Sequence, residues 1–327
     1  MAGAFNTDNI RNTVFRLTDP YDQSDLINCI PEDAKLLDIL NIYEFERFPT
    51  EKAFCVVCKG RRHKRGFTAA LTTGHRVLVG SACGQKKFGA SWEEAEKRLR
   101  LRSDHQYELL MYDRLTMIRE ELQAKLPQWL RVFEHLEGRK AAFSRIFGEV
   151  ASRLNEVAIR GDGRLTVHRK VRTSAFQQAL SRDDDDDSKE RFTYQEVTVG
   201  TLLGSGFFDP LHTHRAVAQA IQSVKDHSFE RALMLDMNKR RKAVERSFEN
   251  LQRCAEIYND VDAFLSSENL ATVARWTDQN DGIRRKLVAR SNGLFFSDDL
   301  NRGITILPLP DLDETLLNCI WEYRRAG

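Results

Sequence analysis

Residues 54–89, FCVVCKGRRHKRGFTAALTTGHRVLVGSACGQKKFG, decide how this chain is read. Cys55 and Cys58 stand two residues apart with Gly60 close behind, a spacing that lets two thiolates reach one ion while glycine frees the backbone to turn its amides toward sulfur. A second half lies downstream. His75 opens the run HRVLV, and Cys83 comes just after Val79-Gly80-Ser81, where a turn leads toward a short helix. Between the halves, GFTAAL and HRVLV read as a β-hairpin. Three thiolates and one imidazole complete a closed structural zinc site and leave no position for a catalytic water. The predicted ligands are Cys55, Cys58, His75 and Cys83, with His63 as the competitor for the fourth position. A redox dithiol is the rival reading of the knuckle, but no βαβ pattern surrounds it.

Knuckle, hairpin and ligand-bearing helix start together resemble a treble-clef-like zinc finger. Val79-Gly80-Ser81, Cys83 and Phe88-Gly89 are also similar to small cysteine modules of uncharacterised phage and plasmid proteins. The resemblance covers 36 of 327 residues. It implies zinc as cofactor and a phage or anti-phage setting. One departure is that such fingers place two ligands at the helix start, where this chain offers Cys83 alone, so the hairpin must supply His75.

Lys59, Arg61, Arg62, Lys64 and Arg65 put five positive charges within seven positions, on a loop that the ion would hold. They are the candidate phosphate contacts for nucleic acid, DNA or RNA, and a solvated turn is the alternative reading. The formal net charge is only +2, so a protein-wide positive field does not drive such binding. Further basic groups lie at Lys97 to Arg102, His168 to Arg172 and Lys239 to Lys242, and five aspartates fill Asp183 to Asp187, a run expected to be solvated.

Of the six cysteines, Cys29, Cys254 and Cys319 are scattered, which is no disulfide framework; Cys254 and Cys319 sit among apolar neighbours as small buried hydrophobes. No apolar stretch is long enough to span a bilayer, and the first residues show no signal-peptide pattern, so a cytoplasmic protein is expected.

The fold class expected is mainly α with small β elements, in six segments. Residues 1–53, interrupted by Pro20, Pro31 and Pro49, are read as short helices and turns. Residues 54–90 form the zinc module. Residues 91–160 form the first part of a helical body: Met111, Leu115, Ile118 and Leu122 make one apolar stripe, Pro127 is expected to end or kink that helix, and a second helix stops at Gly161-Asp162-Gly163. Residues 161–204 read as an inserted β-hairpin carrying the acidic loop. Residues 205–280 form the second part of the body, where Val244, Phe248, Leu251, Ala255, Tyr258, Val261 and Leu265 keep a near-heptad, coiled-coil-like step. The two long helices are expected to run antiparallel. Residues 281–327 form a small α/β end.

His212-Thr213-His214 with Asp209 is too weak a pattern for a metal site, and GTLLGSG (200–206) lacks the lysine of a phosphate loop and reads as a turn. Nucleophile-elbow, histidine–glutamate zinc-helix and kinase signatures are absent. The sequence therefore points to a non-enzymatic, zinc-stabilised binding protein with nucleic acid as partner. The alternatives are a protein–protein adaptor, an accessory subunit of an enzyme complex, and an enzyme without a recognisable motif.

Overall fold

In a computed structural model, the residues described are 7–45, 53–59, 62–172, 192–226 and 234–325. The chain is mainly helical with small sheets. It divides into two units, Met1–Leu115 with Arg231–Asn238, and Thr116–Glu230 with Lys239–Gly327.

The first unit contains α1 (Thr7–Asn12), β1 (Arg16–Leu17), β2 (Leu36–Glu44), β3 (Ala53–Phe54), β4 (Arg62–His63), β5 (Arg65–Leu71), β6 (Arg76–Val79), α2 (Ser81–Phe88) and the start of α3 (Ala90–Ile146). Its sheet has the order β1-β2-β5-β6, with β1 parallel to β2 and the other neighbours antiparallel. The β5–β6 hairpin is present as read: Gly74, at φ +85, turns the chain, and the Leu71 amide donates to the His75 carbonyl at 2.9 Å. The segment read as short helices and turns instead contributes β2. Its pairing with β5 shifts register between Leu36 and Asp38 and again between Ile39 and Asn41, which breaks the two-residue alternation by which a strand is recognised.

Phe67, Ala69, Leu71, Val77 and Val79 pack with Ile39 and with Trp92, Ala95 and Leu99 of α3 in one buried cluster, while Tyr43, Phe45, Ala53 and Leu78 form another. Arg102 ties α3 to β2 by donating to the Ile39 carbonyl at 2.9 Å and pairing with Asp38 at 2.9 Å.

Trp92 also seats α2. Its indole stacks on Phe88 and meets the edge of Phe67, and a Cβ on Gly84 would lie 2.4 Å from that ring system. Only glycine lets the first turn of α2 lie flat on the tryptophan. Gly84→Ala is therefore expected to destabilise the first unit by about 1–3 kcal/mol through overpacking. Thermal melts of the variant test this, and an unchanged midpoint would show that α2 is seated otherwise.

The second unit holds the remainder of α3, α4 (Gly148–Arg160), β7 (Arg164–Arg172), β8 (Phe192–Thr201), α5 (Thr213–Asp226), α6 (Met234–Leu265) from Lys239 onward, α7 (Ser267–Gln279), the strands β9 (Leu287–Arg290), β10 (Gly293–Phe296) and β11 (Asp299–Thr305), and α8 (Thr315–Arg325). α4 ends as expected, with Gly161 left-handed at φ +79. β7 and β8 form the expected antiparallel ribbon, and the Asp183 to Asp187 run lies outside the described residues.

Of the two outcomes expected at Pro127 the helix does not end: α3 continues to Ile146, because buried Leu126 and Trp129 hold it on either side of the lost hydrogen bond and the Trp129 indole donates to the Asp313 carbonyl at 2.8 Å. Two other expectations for this unit are corrected. The long helices are not antiparallel: Phe133 meets Tyr258 and Phe143 meets Phe264, so residue numbers rise together along α3 and α6. Nor is α6 a coiled-coil strand. Cys254, Ile257 and Phe264 are buried beside the expected stripe, making the broad apolar face of a core helix rather than a narrow seam.

That face meets α5 through Ser247 and Ser223 (3.1 Å) and α8 through Phe248 and Tyr323. Gly204 and Gly206 press against it as well. A Cβ at either position would strike Asp260, whose carboxylate accepts from the Gly206 amide at 3.1 Å. Gly200 and Thr201 close β8, and Gly204, left-handed at φ +65, opens a single 3-10 turn over Ser205–Phe208, so only the GSG end of the run read as a turn is one.

Candidate metal centre

The Cys55–Cys58 knuckle is a tight turn closed by the Lys59 amide donating to the Cys55 carbonyl at 3.0 Å, with Lys59 itself at φ +50. A second bond, from the Val56 amide to the Leu78 carbonyl at 3.1 Å, fastens the knuckle to the end of β6. From that end the chain passes through Gly80 into α2, and Cys83 falls in the first helical turn. The three sulfurs lie within 4.8 Å of one another, and this cluster can hold a metal ion. Tetrahedral zinc–thiolate bonds of about 2.3 Å would place sulfurs roughly 3.8 Å apart, so the spacing fits.

The thiols are free of disulfides, with Cys55 buried and Cys58 and Cys83 part-buried. Desolvation, followed by hydrogen bonds that the Cys83 thiol donates to Cys55 and Cys58 and by charge repulsion with them, pushes the Cys83 thiol up to about 11. Such crowding disfavours ionised sulfur until a cation compensates it.

His75 is not brought into the cluster. It is exposed at the hairpin turn, its Nδ1 3.2 Å from the Thr73 hydroxyl, and the whole of β6 separates it from α2. At about 3.3 Å per strand residue, the distance from His75 to the knuckle contact at Leu78 is roughly 10 Å. His63 lies in β4 directly opposite Ala53, two residues before Cys55, and its side chain is outside the described residues.

Compared with known proteins, the chain matches no family model, no curated protein and no solved structure. The geometry of these residues is therefore what speaks for function.

The candidate phosphate contacts are only partly described. Lys59 is exposed on the knuckle, and Arg65 is exposed where β5 begins. Lys64 pairs with Glu44 at 3.3 Å, both side chains about half exposed (50% and 52%). Arg61 and the side chain of Arg62 lie outside the described residues. The later basic run is partly committed, since Arg241 pairs with Glu245 at 2.7 Å.

Elsewhere the sequence's weak signals resolve into structure. Thr213, between His212 and His214, is buried and donates through both its amide and its hydroxyl to Glu137 (2.8 and 2.7 Å), which fixes the start of α5. Among the described residues these histidines join no metal-ligating group. Cys254 and Cys319 are buried as expected, and burial raises their thiols to about 12 and about 11. Also among the described residues, no helix is long and apolar enough to cross a membrane.

Proposed function

We propose that Cys55, Cys58 and Cys83 hold one structural zinc ion, and that the module fixed by this ion is a non-enzymatic nucleic-acid-binding element. The observation that carries the reading is the meeting of three thiols from a knuckle and a helix start that are distant in sequence. Thiolate donors favour zinc over hard cations, and the cation itself offsets the crowding that keeps Cys83 protonated. The order of knuckle, hairpin and helix supports the treble-clef-like reading. His63 is the proposed fourth ligand, since β4 pairs its backbone with Ala53, two residues before Cys55.

The nucleic-acid part rests on Lys59, Arg61, Arg62, Lys64 and Arg65, five cations within seven positions of sequence that begin on the knuckle at Lys59. A cation on a braced turn loses less entropy on meeting phosphate than one on a free tail. The Lys64–Glu44 pair does not remove its lysine from use, because an exposed pair of this kind is worth only about 0–1 kcal/mol and exchanges readily for a phosphate oxygen.

Changing Arg61, Arg62, Lys64 and Arg65 together to alanine is expected to weaken binding across all sequences with zinc content unchanged. The slope of log affinity against log salt should flatten by about 0.9 for each duplex phosphate that the variant no longer neutralises. A wild-type protein that ignores both DNA and RNA at about 50 mM salt, where such contacts are strong, would remove the nucleic-acid reading and leave a zinc-held interaction module.

A further inference from the structure

Beside the knuckle lies a cleft of about 510 Å³. Its floor is apolar, formed by Leu26, Ile27, Val56 and Leu78, and two aromatic rings stand at its sides, Tyr21 (49% exposed) and Phe54 (51% exposed). The volume is within the range of roughly 300–1,000 Å³ typical of small-molecule sites. Lys59 is the one cationic side chain among the lining residues, which also include Cys55 of the thiol cluster. The Tyr21 hydroxyl accepts from the Phe54 amide at 3.3 Å, which leaves its own proton to donate, and the exposed Asn28 amide offers both a donor and an acceptor.

We infer that this cleft takes one unpaired base of a single-stranded nucleic acid, stacked against Phe54 and Tyr21, with its edge on Asn28 and the adjoining phosphate on Lys59. The inference rests on the nucleic-acid reading of the module and names which form of nucleic acid it selects. An apolar protein side chain would fill the floor but leave Asn28, the Tyr21 proton and the Lys59 ammonium unmatched. A nucleotide answers all three, with its donor–acceptor edge on Asn28, an acceptor for the Tyr21 proton and its phosphate on Lys59, while its flat face covers the rings. A base paired within a duplex presents no free face to the rings, so the cleft discriminates against double strands.

The test uses the full chain with its zinc and a short labelled single strand, compared with a duplex of the same sequence, read by fluorescence anisotropy. The single strand should bind more tightly than the duplex. Phe54→Ala should weaken the single strand about tenfold, the loss of one stacking platform, and leave duplex affinity and the salt slope unchanged. Zinc content and the thermal midpoint are measured alongside. If Phe54→Ala does not fold, Phe54→Leu, which keeps apolar cover but removes the aromatic face, should show the same selective loss. Equal affinity for the two forms, or a folded Phe54 variant with unaltered single-strand binding, would overturn the inference while the nucleic-acid reading survives. A wild-type protein that binds neither form would bring down both.

Discussion

Cys58→Ser protein is expected to emerge from purification without zinc and with the knuckle and the start of α2 unfolded, whereas the wild type is expected to carry one zinc per chain. The apparent binding energy of a structural thiolate site is about 10–16 kcal/mol at neutral pH, comparable with the whole stability of a domain at about 5–15 kcal/mol. An ion would add direct bonds between Cys55, Cys58 and Cys83 to the apolar packing and the single Val56–Leu78 backbone bond that already hold the knuckle near α2. A chelator should have the same effect as the substitution, and acid should release the metal, because the sulfurs bind it only when deprotonated.

Elemental analysis and amide exchange across residues 53–59 and 81–88 give the readout. The fourth position is settled by the histidines: His75→Ala should retain the metal and His63→Ala should weaken its hold. Zinc-free wild-type protein, or full retention of zinc in Cys83→Ser, would refute the assignment.

In the second unit, Phe143→Ala should cost about 3–5 kcal/mol, the usual loss for removing a buried aromatic ring. Phe143 is fully buried and makes edge contacts with Phe147, Phe207 and Phe264, at centroid distances of 5.1–5.3 Å, and with Phe208 at 6.5 Å. These rings come from α3, from the chain between α3 and α4, from the turn after β8 and from α6, so one substitution loosens all four at once. Such segments cannot close the gap independently, because each is anchored elsewhere. Urea unfolding should show a lower midpoint with the slope retained. A loss below about 1 kcal/mol would mean that the cavity collapses, and that the cluster is less constrained than its geometry implies.

The sequence by itself determined whatever depends on neighbours along the chain. Two cysteines at knuckle spacing, a glycine turn between alternating runs, a left-handed glycine after α4 and the GSG turn are short-range features, and each appears where its residues place it. Thiol pairing at Cys55 and Cys58 is of this kind, and Cys83 was legible because the glycine turn announced the helix that bears it. The cleft beside the knuckle was not legible, since Tyr21, Asn28 and Phe54 come together only when β3 and the turn after Pro20 meet at β6.

Tertiary structure decided the rest. β2 is a strand because β1 and β5 supply its hydrogen bonds on either side, despite two register shifts that hide its alternation. α3 passes through Pro127 because packing on both sides outweighs one missing bond. His75 is kept out of the thiol cluster by the length of β6, although its number in the chain lies between Cys58 and Cys83. An apolar stripe records that a helix face is buried but carries no sign of the partner or its direction. The parallel sense of α3 and α6 was therefore fixed only when Phe133 met Tyr258 and Phe143 met Phe264.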